Sequence, residues 1–135
     1  MAEEYPESFD AVSKKHEKSG LESLTEKETV IYTIWWLEGE INNGGFHQYF
    51  WNSSGDDTAL ALNSLKKIGA NYTASLLESA ILIAFNGKLP ANRSDRQGLL
   101  EKDEGSKMDK LNELDSKFYE YVDDIESKVN EYVNK

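Results

Sequence analysis

Cysteine is absent from the 135 residues, which excludes disulfides, zinc–thiolate centres and thiol nucleophiles. Histidine is nearly so. Only His16 and His47 occur, too far apart in sequence for metal-ligand spacing, although carboxylates are able to hold Mg or Ca. Neither a metal site nor a cofactor is expected. Long hydrophobic runs are missing as well, since the longest, Ala80 to Phe85, is far too short to span a bilayer. The N-terminal segment Met1 to Glu7 is acidic and lacks the basic and apolar regions of a signal peptide, so a cytoplasmic location is the expectation. No stretch alternates in the manner of a strand, no repeat is visible and no linker divides the chain. Catalytic signatures are lacking too: there is no nucleophile elbow, no phosphate-cradling glycine loop followed by Lys-Ser or Lys-Thr, and no histidine pair on a helix.

Positive charge is scarce. Twenty-five acids face fifteen Lys and Arg, a formal charge of −10 that opposes direct binding to nucleic acid or an anionic membrane and favours basic partners. The excess lies at the ends. Residues 101–135 carry eleven acids and six Lys, and residues 1–24 carry six acids and three Lys, whereas the middle is nearly balanced.

What remains is helical periodicity in one domain, residues 1–135, large enough to bury a core unaided. Residues 5–18 place Phe9, Val12 and His16 on one stripe, with Gly20 as the stop. Thr25 and Glu28 form a capping box for a helix with Val30, Ile34, Leu37 and Ile41 on its inner face, widened by Ile31 and Trp35. Trp36 lies on another face, as a core-edge residue or an anchor for a homodimer. Asn42-Asn43-Gly44-Gly45 ends that helix, because Asn and Gly tolerate the left-handed conformation. A short helical piece with Phe46, Tyr49 and Phe50 follows. Asp56 or Asp57 then caps a helix through Ile68, and Asn71 caps the next, which is apolar nearly all round and ends at Asn86-Gly87. A short helix over 93–102, an exposed break at 103–106 and one or two helices over 107–134 complete an all-α domain of about six to eight helices.

One stretch reads as a signature: Glu40, then Asn42, Asn43, Gly44, Gly45, Phe46, His47, Gln48, Tyr49, Phe50, Trp51, Asn52, Ser53, Ser54, Gly55, Asp56 and Asp57. In an enzyme or ligand-binding module, Glu40, His47, Asp56 and Asp57 supply acid–base groups, while Asn42, Asn43, Ser53 and Ser54 hydrogen-bond a ligand. As corner chemistry, the same Asn and Gly set the backbone, the aromatics fill the joint and the Asp residues cap helices, while His47 and Gln48 face solvent or take up orphan carbonyls.

The acidic C-terminal region offers a different surface. Carboxylates four apart on a helix are separated by roughly 6 Å along its axis, close to the roughly 6.8 Å of two phosphate steps on one DNA strand. Asp109 and Glu113, then Glu120 and Asp124, have that spacing, with Asp123 beside the second pair and Glu131 beyond. Interleaved Lys110, Lys117 and Lys128 favour an ordinary solvated face.

The run from Asn42 to Asp56 resembles the defining motif of the DNA-mimic-protein-like domain family, named for DNA mimic protein nineteen. Trp51 stands where a Phe or Tyr is usual and keeps the aromatic. Leu65 to Ala70, the helix ending at Gly87, the Pro90 to Arg96 segment and Leu114 to Tyr119 resemble the family's later blocks, so the similarity spans most of residues 25–133. It implies an all-helical acidic protein that is not an enzyme and that occupies the DNA-binding surface of a basic protein, such as a helix-turn-helix transcription factor. On that implication, Asp109, Glu113, Glu120, Asp123, Asp124 and Glu131 are the partner-binding acids. The alternatives are a ligand-binding module or small enzyme built on Glu40, His47 and Asp57, and an immunity-type inhibitor of a toxic protein.

Overall fold

The Thr25 capping box starts the element around which the others pack. The Glu28 amide donates to Thr25 Oγ1 at 3.1 Å, and the Thr25 amide donates to Glu28 Oε1 at 2.9 Å. Two orphan donors at the helix start are thereby satisfied, worth about 1 kcal/mol. The computed structural model describes residues 6–102 and 106–135, with side chains from residue 9 onward. Its helices are α1 (Pro6–Ser19), α2 (Glu26–Trp51), α3 (Thr58–Lys67), α4 (Asn71–Phe85), α5 (Arg93–Glu101), α6 (Ser106–Tyr119) and α7 (Ile125–Val133). No strand occurs among the described residues, so the fold is all-α. The exposed break read at 103–106 falls largely outside the described residues.

Helix α2 is central because its inner stripe is wholly apolar. Val30, Ile34, Leu37 and Ile41 are all buried, and α1, α3, α5, α6 and α7 each pack against this helix. Helix α4 closes the other side on α3, α5 and α6. It is less enclosed than its composition suggests, since Leu82 is 62% exposed.

Polar contacts lock the helices at specific points. Lys15 Nζ donates to Glu28 Oε1 at 2.8 Å and ties α1 to the start of α2. Thr33 and Ser64 share a buried hydroxyl–hydroxyl bond of 2.8 Å between α2 and α3. Lys107 Nζ donates at 3.0 Å to the Ala84 and Leu99 carbonyls, so one cation serves the C-terminal turns of α4 and α5 together.

Several local expectations are corrected. Asn42 and Asn43 remain helical, and the break lies at Gly44 and Gly45. Neither Asp56 nor Asp57 caps α3 through its side chain, since Asp56 is drawn to Arg96 and Asp57 makes no capping bond. Asn71 is the first residue of α4 rather than its cap. The Asp123 carboxylate does that work, accepting from the Thr73 amide at 2.8 Å and the Thr73 hydroxyl at 3.0 Å. Of the two arrangements expected for the C-terminal region, the two-helix one holds, with Tyr121 at φ 48° in the turn between them.

Candidate functional site

The signature stretch is built on the α2 break. At Gly45 the backbone takes φ 81° and ψ −179°, a conformation essentially confined to glycine, and a Cβ there would collide with the Asp115 carboxylate. Asp115 sits so close because its Oδ1 accepts from the Phe46 amide at 2.8 Å, capping the second segment of α2 from across the fold. Burial pushes the Asp115 pKa upward, against the opposing pull of the Phe46 amide and His47. Just ahead of the break, the Tyr119 hydroxyl donates to the Ile41 carbonyl at 2.8 Å. Asn42 Nδ2 donates to the Tyr121 hydroxyl at 2.9 Å, which in turn donates to Glu38 Oε2 at 2.9 Å.

The end of the stretch is tied by Arg96, wholly buried on α5. Its Nε donates to the Phe50 carbonyl at 2.8 Å and its Nη2 to the Asn52 carbonyl at 3.1 Å. Nη1 lies 2.8 Å from Asp56 Oδ1, an ion pair by distance whose angle falls short of a hydrogen bond. Gly55 is required here, since an added Cβ would stand 2.7 Å from the guanidinium. Ser54 donates to the Tyr49 carbonyl at 3.1 Å, and Thr58 to that of Gly55 at 2.7 Å. Phe46, Tyr49 and Phe50 are buried, with Phe46 edge-on to Phe118 and Phe50 edge-on to Phe85.

Glu40 gathers two more amides of the stretch. Gln48 Nε2 donates to its Oε1 at 2.6 Å and Asn52 Nδ2 donates to the same oxygen at 3.0 Å. The break thus folds the second segment of α2 back over the first. Between them lies a cleft of about 550 Å³, lined by Trp35, Trp36, Gly39, Glu40 and Asn43 before the break and Gln48 and Asn52 after it. On the far side of Trp36 a smaller cavity of about 80 Å³ is lined by Tyr32, Ser53, Ser54 and Asp57. Asp57 is half-buried, and burial, followed by the adjacent Asp56, raises its pKa.

The acid–base candidates are therefore not brought together. Glu40 lines the larger cleft, Asp57 the smaller cavity, and His47 lines neither, stacking instead on Trp51 with ring centroids 5.7 Å apart.

The model of the family described as DMP19-like protein matches residues 22–135. The chain belongs to the DMP19-like family. No curated protein and no solved structure matches it. The family match takes in the whole α2 break together with Arg96 and Asp115, so the contacts that build the corner all fall inside the DMP19-like region.

The six acids assigned to partner binding divide in this DMP19-like domain. Asp109 and Glu113 are exposed on α6, and Glu131 is exposed on α7. Glu120 is exposed in the turn after α6, so it does not share a helix with Asp124, and their four-residue spacing is not the helical one. Asp124 caps α7, accepting from the Ser127 amide at 3.2 Å and the hydroxyl at 2.9 Å, and those bonds hold its carboxyl below the usual range. Asp123 caps α4. Arg96, Asp115 and Lys107 went unnoticed in the sequence. For Arg96 a signal existed: it lies four residues before Leu100, which is buried on the same helix face.

Proposed function

We propose that the chain is a non-enzymatic acidic binding protein that occupies the DNA-binding surface of a basic protein, such as a helix-turn-helix transcription factor, and competes with DNA there. One observation carries this reading. Asp109, Glu113, Glu120 and Glu131 are exposed, and among the described residues none of them is held by an ion pair within the chain. Carboxylates without internal partners keep their capacity to pair with Arg and Lys of another protein. Net charge of −10 steers a basic partner toward them.

Family membership supports the same reading, and so does the use made of the signature. Its Asn, Gln, Gly and Asp residues are largely spent on holding the corner, through Glu40, Arg96 and Asp115. Of the six acids, Asp123 and Asp124 serve chiefly as helix caps, and the partner surface is assigned to the other four.

Affinity capture from a lysate of the source cell tests this reading. Basic DNA-binding proteins should be recovered at low salt and released steeply as salt is raised. Recovery of neutral or acidic proteins alone sinks it.

A further inference from the structure

The cleft at the α2 break sets one carboxylate, Glu40, among side-chain amides and aromatic faces. A carboxylate can only accept, so the two side-chain amides bonded to Glu40 Oε1 must both turn their nitrogens toward it. One N–H of each amide is thereby taken up. Gln48 Oε1 and Glu40 Oε2 are left without a hydrogen-bond donor among the described residues, while Asn52 Oδ1 takes a long contact of 3.4 Å from Arg93 Nη2. Arg93 is itself held by the Trp51 carbonyl at 2.9 Å and does not line the cleft.

Two indoles complete the wall. Trp35 is stacked on Phe9 with centroids 4.0 Å apart and rings 11° from parallel, and Trp36 stands edge-on to it at 5.4 Å and 79°. Both positions are fixed by packing, and both rings are partly exposed. One turn after Trp35 comes Gly39, an exposed glycine in the body of a helix. Its conformation does not require glycine, and an added Cβ would meet only the Trp35 ring at 4.0 Å, an ordinary contact. Mid-helix glycine costs stability relative to alanine. Here its effect is to leave open the space above Trp35.

We propose that this cleft binds one organic cation, an alkylammonium or guanidinium group, against the Trp35 and Trp36 rings with Glu40 Oε2 and Gln48 Oε1 as acceptors. A carboxylate held by two amides beside aromatic faces is the chemistry that favours a cation over an anion or a neutral isostere. The site is separate from the exposed acids of α6 and α7, so it stands or falls independently of DNA competition.

The test is a titration of the tryptophan indole resonances of the full chain by two-dimensional NMR. Agmatine and n-butylammonium serve as free cations, acetyl-Arg-amide and acetyl-Lys-amide as side-chain mimics, and acetyl-citrulline-amide as the neutral control. The cations should shift the Trp35 and Trp36 indole signals saturably, with Trp51, outside the cleft, as the internal reference. Citrulline amide should bind at least about tenfold more weakly. Tighter binding of the amides identifies a polypeptide side chain as the occupant, and tighter binding of the free amines identifies a small metabolite; either order upholds the site. Gly39→Leu, which fills the space above Trp35, and Glu40→Gln, which removes the charge, should each weaken binding by about tenfold or more. Core methyl resonances report whether each variant stays folded. The proposal is overturned if no cation gives a saturable shift, if citrulline amide binds as well as the Arg amide, or if folded Gly39→Leu binds like the parent.

Discussion

Arg96 Nε donates to the Phe50 carbonyl at 2.8 Å from inside the core, joining α5 to the end of a helix that broke five residues earlier at Gly45. The guanidinium also serves the Asn52 carbonyl at 3.1 Å. A single residue thereby satisfies two backbone acceptors where α2 gives way to the turn before α3.

Replacing Arg96 with Met leaves both carbonyls without that donor in a buried setting. Each orphan acceptor costs about 1–3 kcal/mol, so Arg96→Met should lower stability by about 3 kcal/mol or more in urea denaturation. Asp56→Asn should cost less than Arg96→Met, because both carbonyls keep their donor, but it takes the carboxylate from a wholly buried guanidinium and should destabilise by about 1 kcal/mol or more.

Gly45→Ala meets two obstacles, an unfavourable backbone conformation and the Asp115 carboxylate in the space a Cβ needs. The backbone contribution alone is about 1–3 kcal/mol. Combining Gly45→Ala with Asp115→Ala removes the collision, so the pair should cost less than the sum of the singles by about 0.5 kcal/mol or more in a double-mutant cycle.

Gly39→Ala should have the opposite sign. Its Cβ meets only the Trp35 ring at ordinary contact distance, and the helix gains about 0.5–1 kcal/mol in denaturant or thermal unfolding.

Two carboxyl groups give opposite pH dependences. Asp57 has a raised pKa in the fold, first through burial and then through Asp56, so it holds its proton more tightly folded than unfolded. Its contribution to stability is present below the ordinary value of 3.8 and is lost as pH rises through the raised folded value. Asp57→Asn should therefore be more stable than the parent near neutral pH, and the difference should close below pH 3.8. Glu28 is lowered, chiefly by its hydrogen bond from Lys15 and then by the Thr25 amide. Glu28→Gln should lose stability above the ordinary value of 4.5, with the deficit shrinking as pH falls through the lowered folded pKa. Urea midpoints across acid pH measure both.

Much of the helical scaffold was legible because it follows from periodicity and caps. The stripe from Val30 to Ile41, the Thr25 capping box and the stop at Asn86, left-handed at φ 54°, depend on residues close in sequence. What escaped depends on distant residues. Asp115 is sixty-nine positions from the Phe46 amide it caps, and Asp123 is fifty positions from Thr73, so no local pattern reveals that these acids act as caps. The cleft was hidden for the same reason: Glu40 is followed by a break whose fold-back brings Gln48 and Asn52 to it, and the bend angle is not written in spacing. The spacing of Glu120 and Asp124 misled, because a four-residue interval has helical meaning only if the helix continues through Tyr121.

Competition with DNA is tested most directly by displacement. A captured basic partner carrying a fluorescently labelled duplex is titrated with the chain, and anisotropy follows release of the DNA. Occupation of the DNA-binding surface predicts that the parent releases the duplex and loses potency steeply as salt is raised. The combined variant Asp109→Asn, Glu113→Gln, Glu120→Gln and Glu131→Gln should release far less. A duplex that stays bound while the chain also binds, or release by the combined variant equal to that by the parent, would contradict it.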